Sequence, residues 1–188
     1  RRLLGGEAED DLVQPADDPD LGWLPRPGLS DVRGEEGELR LRGALFGLTP
    51  EETPVATHPR NVQGLAFTDA AAAASRMVAE LRPQADLVVA LTHLGSEEDE
   101  RLAAEVPGID VIVGGHTHTK AVQPVLVGST VVLQAFERGA FLGRLDIDVD
   151  AGKVSAFRYR LLPVTAAAGE QPEVAAVVAR YAAQLGER

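Results

Sequence analysis

Two apolar runs, Leu87 to Leu91 and Ile109 to Val113, flank a charged stretch from Glu97 to Val106 that closes on Pro107-Gly108. This alternation constrains the fold more than any other feature of the chain. A continuous apolar run of this length suits a strand covered on both faces, and the intervening stretch is long enough for a helix. Two strands separated by such a helix predict a right-handed parallel crossover, with both strands ending at the same edge of one sheet. Ligands of open α/β sheets bind at that edge. The residues placed there are His93, just beyond the first strand, and Gly114-Gly115-His116-Thr117-His118, directly after the second.

Imidazoles at neighbouring strand ends are a metal-ligand pattern. The two glycines are expected to let the backbone turn tightly, and the two-residue spacing to send both later imidazoles from the same side of an extended segment. They could contact one ion or two adjacent ions. His93, His116 and His118 are therefore the candidate metal ligands, weighed against a satisfied polar residue at a strand end for His93 and an incidental surface turn for the other two. His58, in a polar loop between Pro54 and Pro59, reads as an ordinary exposed side chain. The run Glu97-Glu98-Asp99-Glu100 opens the expected helix, where negative charge favours the positive end of the dipole, so it reads as solvated. Asp17-Asp18 and Asp20, among prolines, are read in the same way.

Without cysteine, the available metal ligands are imidazole, carboxylate and amide oxygen. A net charge of −11 argues against nucleic acid or an anionic membrane as a partner, because both require clustered lysine and arginine. No segment approaches the roughly 18 apolar residues of a membrane span. An anionic substrate would need a local cation, which a bound metal could supply.

Residues 1–37 hold ten acidic residues against four arginines, with four prolines and no periodicity, and are expected to be a poorly ordered connector. Leu39 to Leu48 reads as a strand, and Asp69 as the N-cap of a helix to Leu81 that Pro83 stops. Pro124 to Val127, Thr130 to Phe136, Arg144 to Val149 and Val154 to Leu162 follow as strands, the last two joined at Asp150-Ala151-Gly152. Pro172 to Leu185 has amphipathic helical spacing. The whole is an α/β chain with mixed sheets.

Several spaced motifs together resemble the 5′-nucleotidase branch of the calcineurin-like metallophosphoesterase superfamily. They are Phe46-Gly47-Leu48-Thr49 with Glu52-Thr53-Pro54, Asn61-Val62 with Gly64-Leu65, Leu91-Thr92-His93-Leu94-Gly95, Val106-Pro107-Gly108-Ile109-Asp110, the Gly-Gly-His-Thr-His run, Leu142-Gly143-Arg144-Leu145, and Tyr159 to Val164. The resemblance implies a four-layer α/β/β/α sandwich holding two divalent ions (Zn, Mn, Fe or similar), at which water attacks a nucleotide or other phosphomonoester in line. It would assign His93 and His116 to one ion and His118 to the other.

The family's D-x-H, G-D and G-N-H-[DE] motifs do not occur in this sequence, and Phe136 stands where a glycine is usual. The resemblance therefore covers the C-terminal half of a catalytic domain at residues 38–165, followed by a helix at 166–188 leading toward a substrate domain. On this reading the chain supplies only the later metal ligands and no catalytic residue, its substrate-contacting residues stay unassigned, and it is inactive alone. The partners this reading allows are a missing N-terminal half or a second copy in a homodimer. Family members are often exported, which leaves the compartment open. The alternative is a non-catalytic module that binds metal or a partner.

Overall fold

The computed structural model describes residues 28–33 and 39–186. Six strands form one mixed sheet: β1 (Gly28–Arg33), β2 (Leu39–Leu48), β3 (Leu87–Thr92), β4 (Val111–Val113), β5 (Val125–Val127) and β6 (Thr130–Leu133). Their order is β1-β2-β3-β4-β6-β5; the inner four run parallel, and β1 and β5 pair antiparallel at the two edges. After the short α1 (Thr53–Ala56), α2 (Ala70–Leu81) and α3 (Ser96–Glu105) cover one face. A hairpin of β7 (Phe141–Asp150) and β8 (Lys153–Pro163) lies on the other, and α4 (Pro172–Gly186) ends the described chain. The expected mixed α/β architecture is present.

The parallel strands β3, β4 and β6 are mostly apolar because most of their residues meet a packed layer on one face or the other. On one side Ala44, Phe46, Val88, Ala90, Ile112 and Val132 pack with Ala74, Val78 and Leu81 of α2 and Leu102 and Ala103 of α3. On the other, Val111, Val131 and Leu133 meet Leu145 and Ile147 of β7 and Phe157 and Tyr159 of β8. Fully burying a side chain such as Ile112 stabilises the fold by about 1.5–3 kcal/mol. The hairpin closes through Ala151 (φ 48°) and Gly152 (φ 72°), two left-handed residues of the kind that match strand twist in a two-residue turn.

Local signals set the helix ends. Asp69 caps α2 by accepting from the Ala72 N–H at 2.6 Å, as expected. Gly108, at φ 99°, brings the chain from α3 into β4, and a Cβ there would lie 2.7 Å from Val78 Cγ1. Gly108→Ala is thus expected to cost about 1–2 kcal/mol, from left-handed strain and crowding of α2, measurable as a lower urea midpoint with unchanged m-value.

The segment at 28–33 departs from expectation, since residues read as connector form a strand; residues 1–27 and 34–37 of that connector lie outside the described residues. Every residue of β1 is exposed, so no buried face imprints a hydrophobic period on its sequence. Backbone pairing with β2 defines it instead, with Arg42 Nε donating to Asp31 Oδ1 at 2.8 Å. That hydrogen bond holds the Asp31 carboxyl below its ordinary range.

Candidate metal centre

The parallel strands deliver two loops to one edge. The His93 N–H donates to the Leu48 carbonyl at 3.0 Å, carrying the β3 end over β2, while the Gly114 N–H donates to Leu133 O at 2.8 Å and carries the β4 end over β6. The His93 and His116 rings meet there edge to face, with centroids 5.1 Å apart and planes at 73°. Adjacent parallel strands thus bring together imidazoles 23 positions apart in the sequence, as the crossover predicted.

The two glycines work differently from the sequence expectation. Neither has a positive φ; the left-handed residues are His116 (φ 74°) and His118 (φ 54°). Gly115 is bare because His93 lies against it: a Cβ would come 2.9 Å from His93 Nδ1 and 3.4 Å from the Thr92 carbonyl. Gly114 is bare because a Cβ would collide with Asp99 Oδ2 and lie 3.3 Å from Asp99 Cγ. Close approach of side chains, more than the turn itself, excludes larger residues here.

Because the backbone is left-handed at both histidines, they do not leave an extended segment from one side. His116 meets His93, whereas His118 Nδ1 lies 3.0 Å from Glu137 Oε2. Glu137 sits between Phe136 (φ 73°) and Arg138 (φ 56°), so two strained loops face each other through this pair. Sequence reasoning missed Glu137, which follows a predicted strand with no motif of its own. His58 is exposed as expected, and its Nδ1 accepts from the Arg60 N–H at 3.2 Å at the start of a 3-10 turn.

Asp99 corrects the reading of the acidic run. Glu97, Glu98 and Glu100 are exposed, but Asp99 is only 1% exposed and neither of its oxygens has a hydrogen-bond partner among the described residues. Burial pushes its carboxyl up to about 6, with Glu98 adding to the rise and the nearby Thr92 hydroxyl opposing it. A signal was present in the sequence. Asp99 precedes Leu102, Ala103 and Val106 at i, i+3, i+4 and i+7, and so occupies the buried stripe of α3.

Gln134, 3% exposed, braces the other side of the turn: Nε2 donates to the Gly115 carbonyl and Oε1 accepts from the Thr119 N–H. Thr117 Oγ1 accepts from the Ser96 N–H at 3.2 Å, tying the same turn to the first residue of α3. Beside this edge, at the end of β2, a cavity of about 540 Å³ is lined by Leu48, Thr49, Thr53, Asn61 and Phe67, among others.

His93 and His116 fit a divalent ion in donor chemistry and mutual approach. Among the described residues, however, no group of three or more His, Cys, Asp or Glu side chains converges to close around one. No described helix is long and apolar enough to cross a membrane.

Residues 11–120 match the family described as calcineurin-like phosphoesterase. Trifunctional nucleotide phosphoesterase protein YfkN of Bacillus subtilis is 38% identical over 153 residues, covering 77% of this chain and 10% of that protein. Among solved structures, the sulfate thiohydrolase SoxB of Thermus thermophilus superposes with a TM-score of 0.74 at 30% identity, covering 87% of this chain and 29% of its own. A 5′-nucleotidase precursor, also from Thermus thermophilus, gives 0.65 at 30% identity, covering 85% and 34%. The chain therefore spans about a third or less of the length of these relatives. Its match over more than half its length, on a sheet whose parallel strands end in paired histidines, makes the chain a member of the calcineurin-like phosphoesterase family.

Proposed function

We propose that this chain contributes to hydrolysis of a nucleotide or related phosphomonoester, with His93 and His116 holding one divalent ion and His118 serving a second. The observation that carries this reading is the contact of the His93 and His116 rings at the C-terminal edge of the parallel strands, in a chain of this family. A divalent ion held there would supply positive charge against the phosphoryl group and make bound water more acidic. The chain's own residues do the positioning. His93 is fixed by its backbone bond to Leu48, His116 by the brace of Gln134 on Gly115, and His118 by Glu137, whose carboxylate orients the imidazole as an outer partner does for a metal ligand.

Two imidazoles leave a four- to six-coordinate ion short of donors, so we place the remaining ligands outside this chain. The extended length of the relatives supports that, and supports α4 as the lead into a further domain. Cobalt titration of the chain followed by visible absorption is the test of the ligands: His93→Ala or His116→Ala should each abolish the weak binding, and unchanged binding in both would overturn the assignment. For hydrolysis, the chain should be fused behind the N-terminal half of the catalytic domain of the Thermus 5′-nucleotidase. Phosphate release from AMP with manganese is expected, and no gain over either half would count against the reading. The likeness to a sulfate thiohydrolase argues for including sulfur esters in the substrate panel.

A second reading, a module that docks a partner, rests on one observation. Leu45 and Leu91, on the hairpin side of the sheet, are 41% and 44% exposed, and the apolar residues of α4 are uncovered. Light scattering tests it: this reading requires an oligomer or a bound partner, so a monomer at high concentration would count against it.

A further inference from the structure

We propose that Asp99 is a positioning residue: wedged against the bare Cα of Gly114, its buried side chain sets the turn that aims His116 at His93. This rests on the reading of those two imidazoles as the ion-holding pair, and it adds a residue from the helix behind them.

The geometry supplies four supports. Asp99 lies on the buried stripe of α3, so the first turn of that helix fixes where its carboxyl group can go. Its oxygen meets the place a Gly114 side chain would occupy, leaving no room for the 114–115 backbone to move toward the helix. From the opposite side Gln134 holds the Gly115 carbonyl and the Thr119 N–H, so the histidine-bearing turn is gripped between a helix residue and a residue just after β6. The start of the same helix touches the turn again, since a Cβ on Gly95 would lie 3.0 Å from Thr117 Cγ2 and 3.7 Å from His116 Cδ2.

The chemistry of the position points the same way. A buried carboxylate with neither oxygen bonded by any described residue lowers stability, and an apolar residue at this place in the stripe would pack without that cost. A local rule broken in this manner next to paired imidazoles is the pattern expected where geometry, and not stability, determines the residue. Two flat oxygens on a short stem fill the shallow space over Gly114, whereas an alanine leaves a gap and a leucine overfills it. Asparagine has the same outline.

The test uses the whole chain with histidine-selective labelling, and reads the nuclear Overhauser contact between the His93 and His116 ring protons together with cobalt affinity. Wild type and Asp99→Asn should show the ring contact; Asp99→Ala should lose it, with cobalt affinity falling by about tenfold or more. If Asp99→Ala fails to fold, Asp99→Ser is read in its place. Retention of the ring contact in a folded Asp99→Ala or Asp99→Ser protein overturns the proposal. Loss of the contact establishes the positioning role even where cobalt binding is absent in wild type or unchanged in the variant. Either of those cobalt results removes the ion-holding reading of the pair.

Discussion

Gly114→Ala is expected to destabilise the protein by about 3 kcal/mol, the upper part of the range for forcing an extra methyl into a packed interior. The added Cβ collides with Asp99 Oδ2, and Asp99 cannot swing away because it is 1% exposed within the first turn of α3. The backbone cannot retreat either, since the Gly114 N–H is bonded to Leu133 O and Gln134 holds Gly115. Chemical denaturation of the four proteins of a double-mutant cycle measures the conflict. Asp99→Ser in the Gly114→Ala background should restore much of the loss, with a coupling energy above about 1 kcal/mol. Additive costs would mean that the two residues do not meet. Gly115→Ala offers a contrast, because its Cβ approaches the end of the His93 side chain, which can rotate. Its stability cost should be smaller, and its effect should fall on the ring contact.

These two glycines show how far the sequence could be read. The crossover from β3 through α3 to β4 was legible because its apolar runs, Leu91 apart, are covered on both faces, and the shared edge for His93 and His116 followed from topology alone. The reason for Gly-Gly was not legible, because it depends on Asp99 and His93 arriving from other elements. Asp99 was hidden within a run of four acidic residues whose other members are solvated, though its place on the stripe of α3 was visible in the spacing. β1 was hidden for the opposite reason: an edge strand exposed on both faces carries no hydrophobic alternation, and only its partner β2 reveals it. Glu137 depends on a long-range loop contact to His118, and short-range patterns do not encode such pairs.

The buried carboxyl group also predicts how stability changes with pH. Asp99 is held at about 6 in the folded protein against an ordinary 3.8, with burial as the main cause. Between those values the folded state binds more protons than the unfolded state, so this group's contribution declines as pH rises. It is most favourable below about pH 3, where both states are protonated, and the cost of the buried charge is fully present above about pH 7. The interval between 3.8 and about 6 corresponds to about 3 kcal/mol. Asp99→Asn removes the charge while keeping the outline, so it should exceed wild type by up to about 3 kcal/mol at pH 8 and by only about 0.5 kcal/mol at pH 4. The difference between the two proteins isolates Asp99 from other carboxylates such as Asp31, whose pairing with Arg42 is common to both. Urea midpoints at five pH values from 4 to 8 would trace it. A constant offset would mean that Asp99 stays charged throughout, and that a donor outside the described residues satisfies it.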